Sequence, residues 1–391
     1  MTAMRSAIFG LFALVFILLT VAPAGAEIYG RTGFHLDWWD SENGAKGFQY
    51  HIPIEAGGNI GPFSYKVLTA YAYNDIEPRN APSFDFNGLV DARVNMAYEI
   101  IDRLPFDLLL AVDLNLPTGK TKLSDAEFRS ILDPDKVTIT RMGEGFNINP
   151  SLIALKQWNA LLASIGIGYI WRGEYDATDA LTDYDPGDAL NLTAEVDYNF
   201  SARWIGRLFG SYSRFNEDEL ADQEFFEPGD VRIFGGGITY ARARWDLSAS
   251  IKAILRDKDR RQVGGAMVTD ADSYYGDEWV YRLSGNYQLA DRWSLGAWVQ
   301  YLTIASNDFP PDALFNNNFV SRREKILLGA ELVLRPAPGW AAGLKLQAYR
   351  MDVKDNPLYT AVIDGGFIND VYDVNKDFAG GAAAIWISAA F

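Results

Sequence analysis

Residues 190–200 read LNLTAEVDYNF, with an apolar or aromatic residue at every even position and a polar or charged residue at every odd position. Successive side chains of a β-strand point to opposite faces, so this pattern predicts a strand with one apolar and one polar face. The same alternation recurs in residues 107–116, 293–301 and 325–335. So many long strands with a charged second face favour a closed barrel with lipid outside and water inside.

Composition excludes several functions before any motif is considered. The 391 residues include 51 acidic and 35 basic side chains, and the formal charge is −16. Nucleic acid is therefore not an expected partner, because phosphate binding needs clustered Lys and Arg. The chain has no cysteine and only two histidines. Disulfides, thiol nucleophiles and multi-histidine metal centres are excluded on that basis.

Residues 1–26 are interpreted as a secretory signal peptide. Arg5 is their only charge, an apolar run follows it, and the small residues Ala24-Gly25-Ala26 suit cleavage before Glu27. A retained membrane anchor is the weaker alternative, because the apolar run is short for a spanning helix. Residues 27–391 are then predicted to form a single barrel domain.

The connections between the predicted strands alternate between short and long. With about sixteen strands, from residues 27–39 to residues 376–391, both termini lie on the rim that carries the short turns. Short periplasmic turns and long extracellular loops are typical of outer-membrane barrels. Tryptophans beside five short turns predict an aromatic girdle at the membrane interface: Trp158, Trp204, Trp245, Trp293 and Trp340. A soluble sandwich with these aromatics in its core is the alternative.

The end of the chain, Ile385-Trp386-Ile387-Ser388-Ala389-Ala390-Phe391, resembles the last-strand signal of Gram-negative outer-membrane barrel proteins. Together with the strand count and the loop asymmetry, the whole mature chain resembles a porin of about sixteen strands. The resemblance implies an outer-membrane location, contact with membrane lipid and lipopolysaccharide, and recognition by the barrel-assembly machinery. It also implies a homotrimer and a third long loop that folds into the barrel.

The third long loop here is residues 117–144. Ser124, the acidic residues after it and Pro134 predict a short helix within it. The alternative is an extracellular flap that never enters the pore. If the loop folds inward, its charges would line a constriction: Lys120, Lys122, Asp125, Glu127, Arg129 and Asp133.

Strand parity supplies the rest of the predicted pore lining. Charged residues on the polar faces of the strands include Asp91, Arg93, Asp113, Arg172, Arg207, Lys252, Arg282 and Lys325. Acidic residues are concentrated on strands four, five and eight, and basic residues on strands seven to fifteen. Such segregation would give a transverse field at the waist of the pore. The alternative is that the charges solvate a wide lumen and pair locally.

The sequence contains candidate ion ligands at two places. His35 and His51 also fall on the inward face and are weak candidates for a metal site, since a third protein ligand is not assured. Acidic extracellular loops, such as residues 217–227, could hold calcium or magnesium, although solvated loops are the simpler interpretation. No cofactor is otherwise expected.

The function predicted from the sequence is passive diffusion of small hydrophilic solutes and ions through an outer-membrane porin. Size and charge would be selected at a waist between the 117–144 loop and a facing basic wall. Two alternatives remain open: a barrel that sheathes a partner, such as an electron carrier or an export component, and an enzyme embedded in a barrel. An enzyme is not expected, because both histidines point inward with no evident partner serine.

Overall fold

The computed structural model describes residues 27–42, 44–79, 82–130, 134–309, 319–354 and 377–391. The predicted signal peptide and Asp133 lie outside the described residues. Within the described residues, no helix is long and apolar enough to cross a membrane.

Sixteen antiparallel strands form one closed barrel, as predicted. The strands are β1 (Glu27–Ser41), β2 (Lys46–Ile60), β3 (Phe63–Glu77), β4 (Phe84–Leu89 and Ala92–Ile100), β5 (Asp107–Leu116), β6 (Asn147–Trp158), β7 (Leu161–Arg172), β8 (Ala189–Asn199), β9 (Trp204–Phe215), β10 (Val231–Ala241), β11 (Trp245–Arg256), β12 (Glu278–Ala290), β13 (Trp293–Ile304), β14 (Arg323–Leu334), β15 (Trp340–Val353) and β16 (Phe378–Ala390). Each strand pairs with its neighbour in sequence, and the barrel closes where β1 pairs with β16, from Tyr29 opposite Ala390 to Ser41 opposite Phe378.

The outer surface of the barrel is apolar. The side chains of Ile165, Leu208, Leu328 and Ile385 are 57 to 68% exposed, although a soluble fold would bury them. The residues next to them in sequence point to the other face, where Ser164, for example, pairs with Glu195. Exposed apolar bands around a closed barrel are stable only in hydrocarbon, so the barrel is built to span a membrane.

The tryptophans beside the short turns lie at the strand ends, as expected of an interfacial girdle. Trp204, Trp245, Trp293 and Trp340 are the first residues of β9, β11, β13 and β15, Trp158 is the last residue of β6, and all five are exposed. Trp340 also contacts the terminal Phe391, with ring centroids 6.2 Å apart.

A glycine in β10 makes room for an aromatic side chain inside the barrel. Gly235 pairs with Phe209 of β9, and a Cβ atom at Gly235 would lie 2.6 Å from Cζ of Phe209. Only glycine therefore lets the phenyl ring of Phe209 lie against the wall at this height.

Two further elements lie in the long loops. A five-residue helix, α1 (Asp125–Arg129), occupies the loop between β5 and β6. A small five-stranded sheet forms among three other loops, from the segments Tyr184–Asp185, Asp218–Leu220, Gln223–Glu227, Arg260–Val263 and Ala266–Thr269.

Candidate functional site

The two ends of the 117–144 loop meet at Asp91, which is buried in the gap between the two parts of β4. The carboxylate of Asp91 accepts hydrogen bonds from the N–H of Gly119 at 2.8 Å, the amide of Asn115 at 2.7 Å and the N–H of Glu144 at 2.6 Å. The N–H of Asp91 donates to the carbonyl of Met142. The backbone of β4 thus pairs with the loop at this point, which explains the interruption of the strand.

The tip of the loop, residues 134–139, lies against the inner faces of β1 and β2. The N–H of Thr138 donates to the carboxylate of Asp37 at 3.2 Å. The side chain of Gln49 is fully buried and makes two hydrogen bonds with the backbone of Ile139. These backbone groups therefore find partners on the barrel wall that a solvent-exposed flap would not need.

The preceding residues of the tip contact the adjoining wall of β14, β15 and β16. Asp135 forms an ion pair with Arg323 at 3.3 Å, and its carbonyl accepts a hydrogen bond from Lys325. The ammonium of Lys136 lies 4.8 Å from the ring centroid of Phe378. The tip is therefore held against a continuous arc of wall that runs from β14 through β16 and β1 to β3.

The helix α1 begins with the predicted cap. Ser124 and Glu127 form a capping box, in which each side chain accepts a hydrogen bond from the other residue's backbone N–H. Lys120 forms an ion pair with Glu127. Burial alone would raise the pKa of Glu127, but hydrogen bonds from Lys120 and Ser124 outweigh it and lower the pKa below its ordinary value.

The other described loop charges that were predicted to line a constriction are also paired locally. Arg129 binds Asp125 one helical turn away at 2.8 Å, and Lys122 lies 3.5 Å from Asp176 in the next long loop. Paired, exposed charges contribute little to stability, and they present less net field to a passing ion than free charges.

The strand register places seven of the predicted wall residues on the inward face: Arg93, Asp113, Arg172, Arg207, Lys252, Arg282 and Lys325. The eighth, Asp91, lies in the gap between the two parts of β4, where its carboxylate is bonded to the loop. Within the described part of the chain, Lys252 and Arg282 have no carboxylate within ion-pair distance. Arg282 lies 5.4 Å from the ring centroid of Trp298, and Lys345 approaches the same ring at 5.4 Å. Lys252, Arg282 and Lys345 therefore put three cations on the inward face of β11, β12 and β15, where Glu331 of β14 is the register partner of Lys345.

The acidic part of the wall is partly neutralised by its neighbours. Arg207 pairs with Asp197 through two hydrogen bonds of 2.8 and 3.0 Å and lies 3.4 Å from Glu195. Arg93 reaches Glu144 of the loop at 3.6 Å. Asp113, by contrast, accepts a hydrogen bond from the uncharged amide of Asn95 at 2.6 Å.

His35 and His51 face each other across β1 and β2, as the hairpin geometry predicted. Their rings stack with centroids 4.5 Å apart, and Nδ1 of His51 is buried with no hydrogen-bond partner. Among the described residues, no group of three or more His, Cys, Asp or Glu side chains is arranged to hold a metal ion.

Carboxylates of the acidic loops form hydrogen bonds within and beside the small outer sheet. Asp218 accepts hydrogen bonds from the hydroxyl of Tyr184 at 2.7 Å and from the N–H of Gly187 at 2.8 Å. Burial, followed by this contact with Asp218, raises the pKa of Tyr184, which keeps its hydroxyl protonated as a donor. The carboxylates of these loops are therefore engaged with the protein itself at several positions.

Two functional features could not be read from the charge pattern: Gln49, which holds the loop tip, and Trp298, which lies beside the inward cations. Both residues are on the inward face by parity, so the alternation itself contained the signal. The large indole of Trp298 departs from the polar side chains that the alternation otherwise places on this face.

A closed sixteen-stranded barrel with an apolar outer face, interfacial tryptophans and a charged interior defines the class: a bacterial outer-membrane β-barrel. Residues 38–269 match the model of the family described as "Putative MetA-pathway of phenol degradation", and the chain belongs to that family.

Comparison with solved structures found similar folds among outer-membrane proteins. One is OpdO of Pseudomonas aeruginosa, with 11% identity and a TM-score of 0.45 over 94% of this chain and 97% of the other. Another is a loop-deletion mutant of OmpT of Vibrio cholerae, with 9% identity and a TM-score of 0.43 over 94% and 99%. A third is an outer membrane channel of Pseudomonas putida F1, with 10% identity and a TM-score of 0.38 over 95% and 97%. No curated protein sequence matches the chain.

Proposed function

We infer that the protein is a porin, a passive water-filled channel for small hydrophilic solutes and ions. The solutes would be selected by size and charge at a waist between the 117–144 loop and the wall that faces it. The loop tip is held at both of its ends, by Gln49 at Ile139 and by Lys325 at Asp135, and this observation carries the proposal. A segment tied down in this way would narrow the lumen at the height of the tip.

Charge selection is the second part of the proposal. The part of the wall that the loop tip does not contact carries cations with no carboxylate partner among the described residues, including Lys252 and Arg282. Arg207, by contrast, is neutralised by Asp197. Fixed charges on a narrow, low-dielectric wall raise the local concentration of counter-ions. Anions would therefore be favoured at this wall, even though the chain as a whole is acidic.

Liposome swelling tests the size limit directly. Proteoliposomes that contain the purified barrel are mixed with neutral sugars of increasing size, and the swelling rate is followed by light scattering. A graded fall in rate with sugar size is expected for a passive pore. No swelling with the smallest sugar, from barrels shown to be folded, would contradict the proposal.

A further inference from the structure

A cavity lies at the extracellular end of the lumen, between the returning segment of the 117–144 loop and the wall of β6 to β11. It has a volume of about 620 Å³. Its lining includes Asn147, Arg172, Phe215, Arg256 and Tyr275. A space of this size accommodates a small organic molecule of one ring.

Three guanidinium groups line the cavity, and two of them are already paired. Arg141 binds Glu144 at 2.6 Å, and Arg256 binds Glu278 at 2.5 Å. The guanidinium of Arg172 forms no ion pair with any carboxylate in the described part of the chain. It is therefore the one lining cation here whose charge is left for a ligand.

The acidic residues at the cavity do not compete for Arg172. Asp218 is engaged by Tyr184 and Gly187, as described above. Asp259 is 4% exposed and accepts a hydrogen bond from the N–H of Gly229 at 2.8 Å. Both carboxylates are thus engaged by groups of the outer loops.

Flat apolar surfaces lie beside the guanidinium groups. Arg172 lies 5.8 Å from the ring centroid of Phe215, and Arg256 lies 5.6 Å from that of Tyr275. A planar ligand ring can pack against such aromatic walls while an acidic substituent reaches the guanidinium.

The amide of Asn147 adds a polar position. Asn147 is the strand partner of Arg172, so both side chains point into the cavity from adjacent strands. Its Oδ1 atom is buried and has no hydrogen-bond partner among the described residues. Buried amide oxygens are nearly always satisfied, so this atom is suited to accept a hydrogen bond from a hydroxyl or amino group.

We propose that this cavity is an entry site for small aromatic carboxylates. The carboxylate pairs with the fork of Arg172, and the ring packs on Phe215 and Tyr275. A hydroxyl on the ring donates to Asn147. This inference rests on the proposed channel function, since it names the class of solute that enters the channel.

Isothermal titration calorimetry on the folded, detergent-solubilised barrel tests the site. Sodium 4-hydroxybenzoate is titrated into the wild-type protein and into the variants Arg172→Gln and Arg172→Lys. Loss of a charge-assisted, two-point contact is expected to weaken binding by at least about tenfold for Arg172→Gln, with Arg172→Lys intermediate. Arg214→Gln is the matched control, because Arg214 follows the outward parity of β9 and does not line the cavity.

Two ligand controls separate the contributions. Uncharged 4-hydroxybenzyl alcohol should bind weakly and equally to the wild-type protein and to Arg172→Gln. Benzoate, which lacks the hydroxyl, should bind more weakly than 4-hydroxybenzoate to the wild-type protein, and this difference should shrink in Asn147→Ala. Equal affinity of wild type and Arg172→Gln for 4-hydroxybenzoate, or the absence of binding to the wild-type protein, would overturn the proposal.

The result is distinguishable from failure of the channel proposal. A barrel that conducts ions but binds no 4-hydroxybenzoate overturns the entry site alone. A folded barrel that binds the ligand but shows no conductance overturns the channel and leaves the site as a receptor for the same chemistry.

Discussion

The side-chain amide of Gln49 on β2 and the backbone of Ile139 in the loop tip form a two-point hydrogen-bonded pair. Nε2 of Gln49 donates to the carbonyl of Ile139 at 2.6 Å, and Oε1 accepts from its N–H at 2.7 Å. The amide thus replaces the peptide group of a neighbouring strand. Gln49 is fully buried, so its amide is held away from competing water. This pair fixes the height of the loop tip in the barrel.

Replacing Gln49 with Leu should release the tip. The variant leaves the N–H and carbonyl of Ile139 without partners, at a cost of about 1–3 kcal/mol, so the tip should leave the wall for part of the time. Single-channel currents are expected to show larger fluctuations than the wild type.

The matched control for this variant is Gln347→Leu. Gln347 lies on the inward face of β15, and no hydrogen bond joins it to the loop in the described part of the chain. The single-channel currents of Gln347→Leu should fluctuate no more than those of the wild type. Equal noise in both variants would show that Gln49 does not hold the tip.

Asp91 should be the most sensitive position at the base of the loop. Asp91→Ala removes the acceptor of three hydrogen bonds and leaves their donors buried, which should lower the free energy of unfolding on the order of 3 kcal/mol. Asp113→Ala, which removes the acceptor of a single hydrogen bond from Asn95, should cost clearly less. Urea titration of the barrel in phospholipid vesicles measures both; equal losses would contradict the role of Asp91.

Substitutions in β9 test which face of the barrel wall points to lipid and which points to the lumen. Leu208 is 68% exposed on the outer face, so Leu208→Arg places a charge in hydrocarbon and should destabilise the barrel by about 2–4 kcal/mol. Ser211→Arg adds the same charge on the inward face and should cost little, because water solvates it there. Refolding in the presence of urea compares them. A larger loss for Ser211→Arg would mean that the faces have been assigned the wrong way round.

Much of this architecture could be predicted from period-two alternation. The alternation placed sixteen strands and assigned residues such as Arg172 and Arg282 to the inward face, because parity determines the face once a strand is recognised. Parity did not predict which residue of the adjacent strand lies beside each inward side chain. The pairing of Arg207 with Asp197 depends on the register across a turn, and parity alone leaves that register open.

The contacts between the 117–144 loop and the barrel wall could not be predicted from the sequence, for a different reason. Asp91 and Gly119 are far apart in sequence, as are Asp135 and Lys325, and their meeting depends on how the closed barrel folds the loop back on itself. The N-cap at Ser124 is local, and it was predicted, whereas the reciprocal hydrogen bond to the Glu127 side chain was found in the structure. Contacts between residues close in sequence could therefore be predicted, whereas the attachment of the loop tip to the barrel wall could not.

The proposed function requires the lumen to be an open, charge-selective passage. Single-channel recording of the refolded barrel in a planar bilayer, under a salt gradient, tests it most directly. We expect steady conductance with a reversal potential that favours anions, and a shift towards cations in the double variant Lys252→Gln, Arg282→Gln, because both cations lack a carboxylate partner among the described residues. Folded barrels with no conductance, or a reversal potential that the double variant leaves unchanged, would contradict the account.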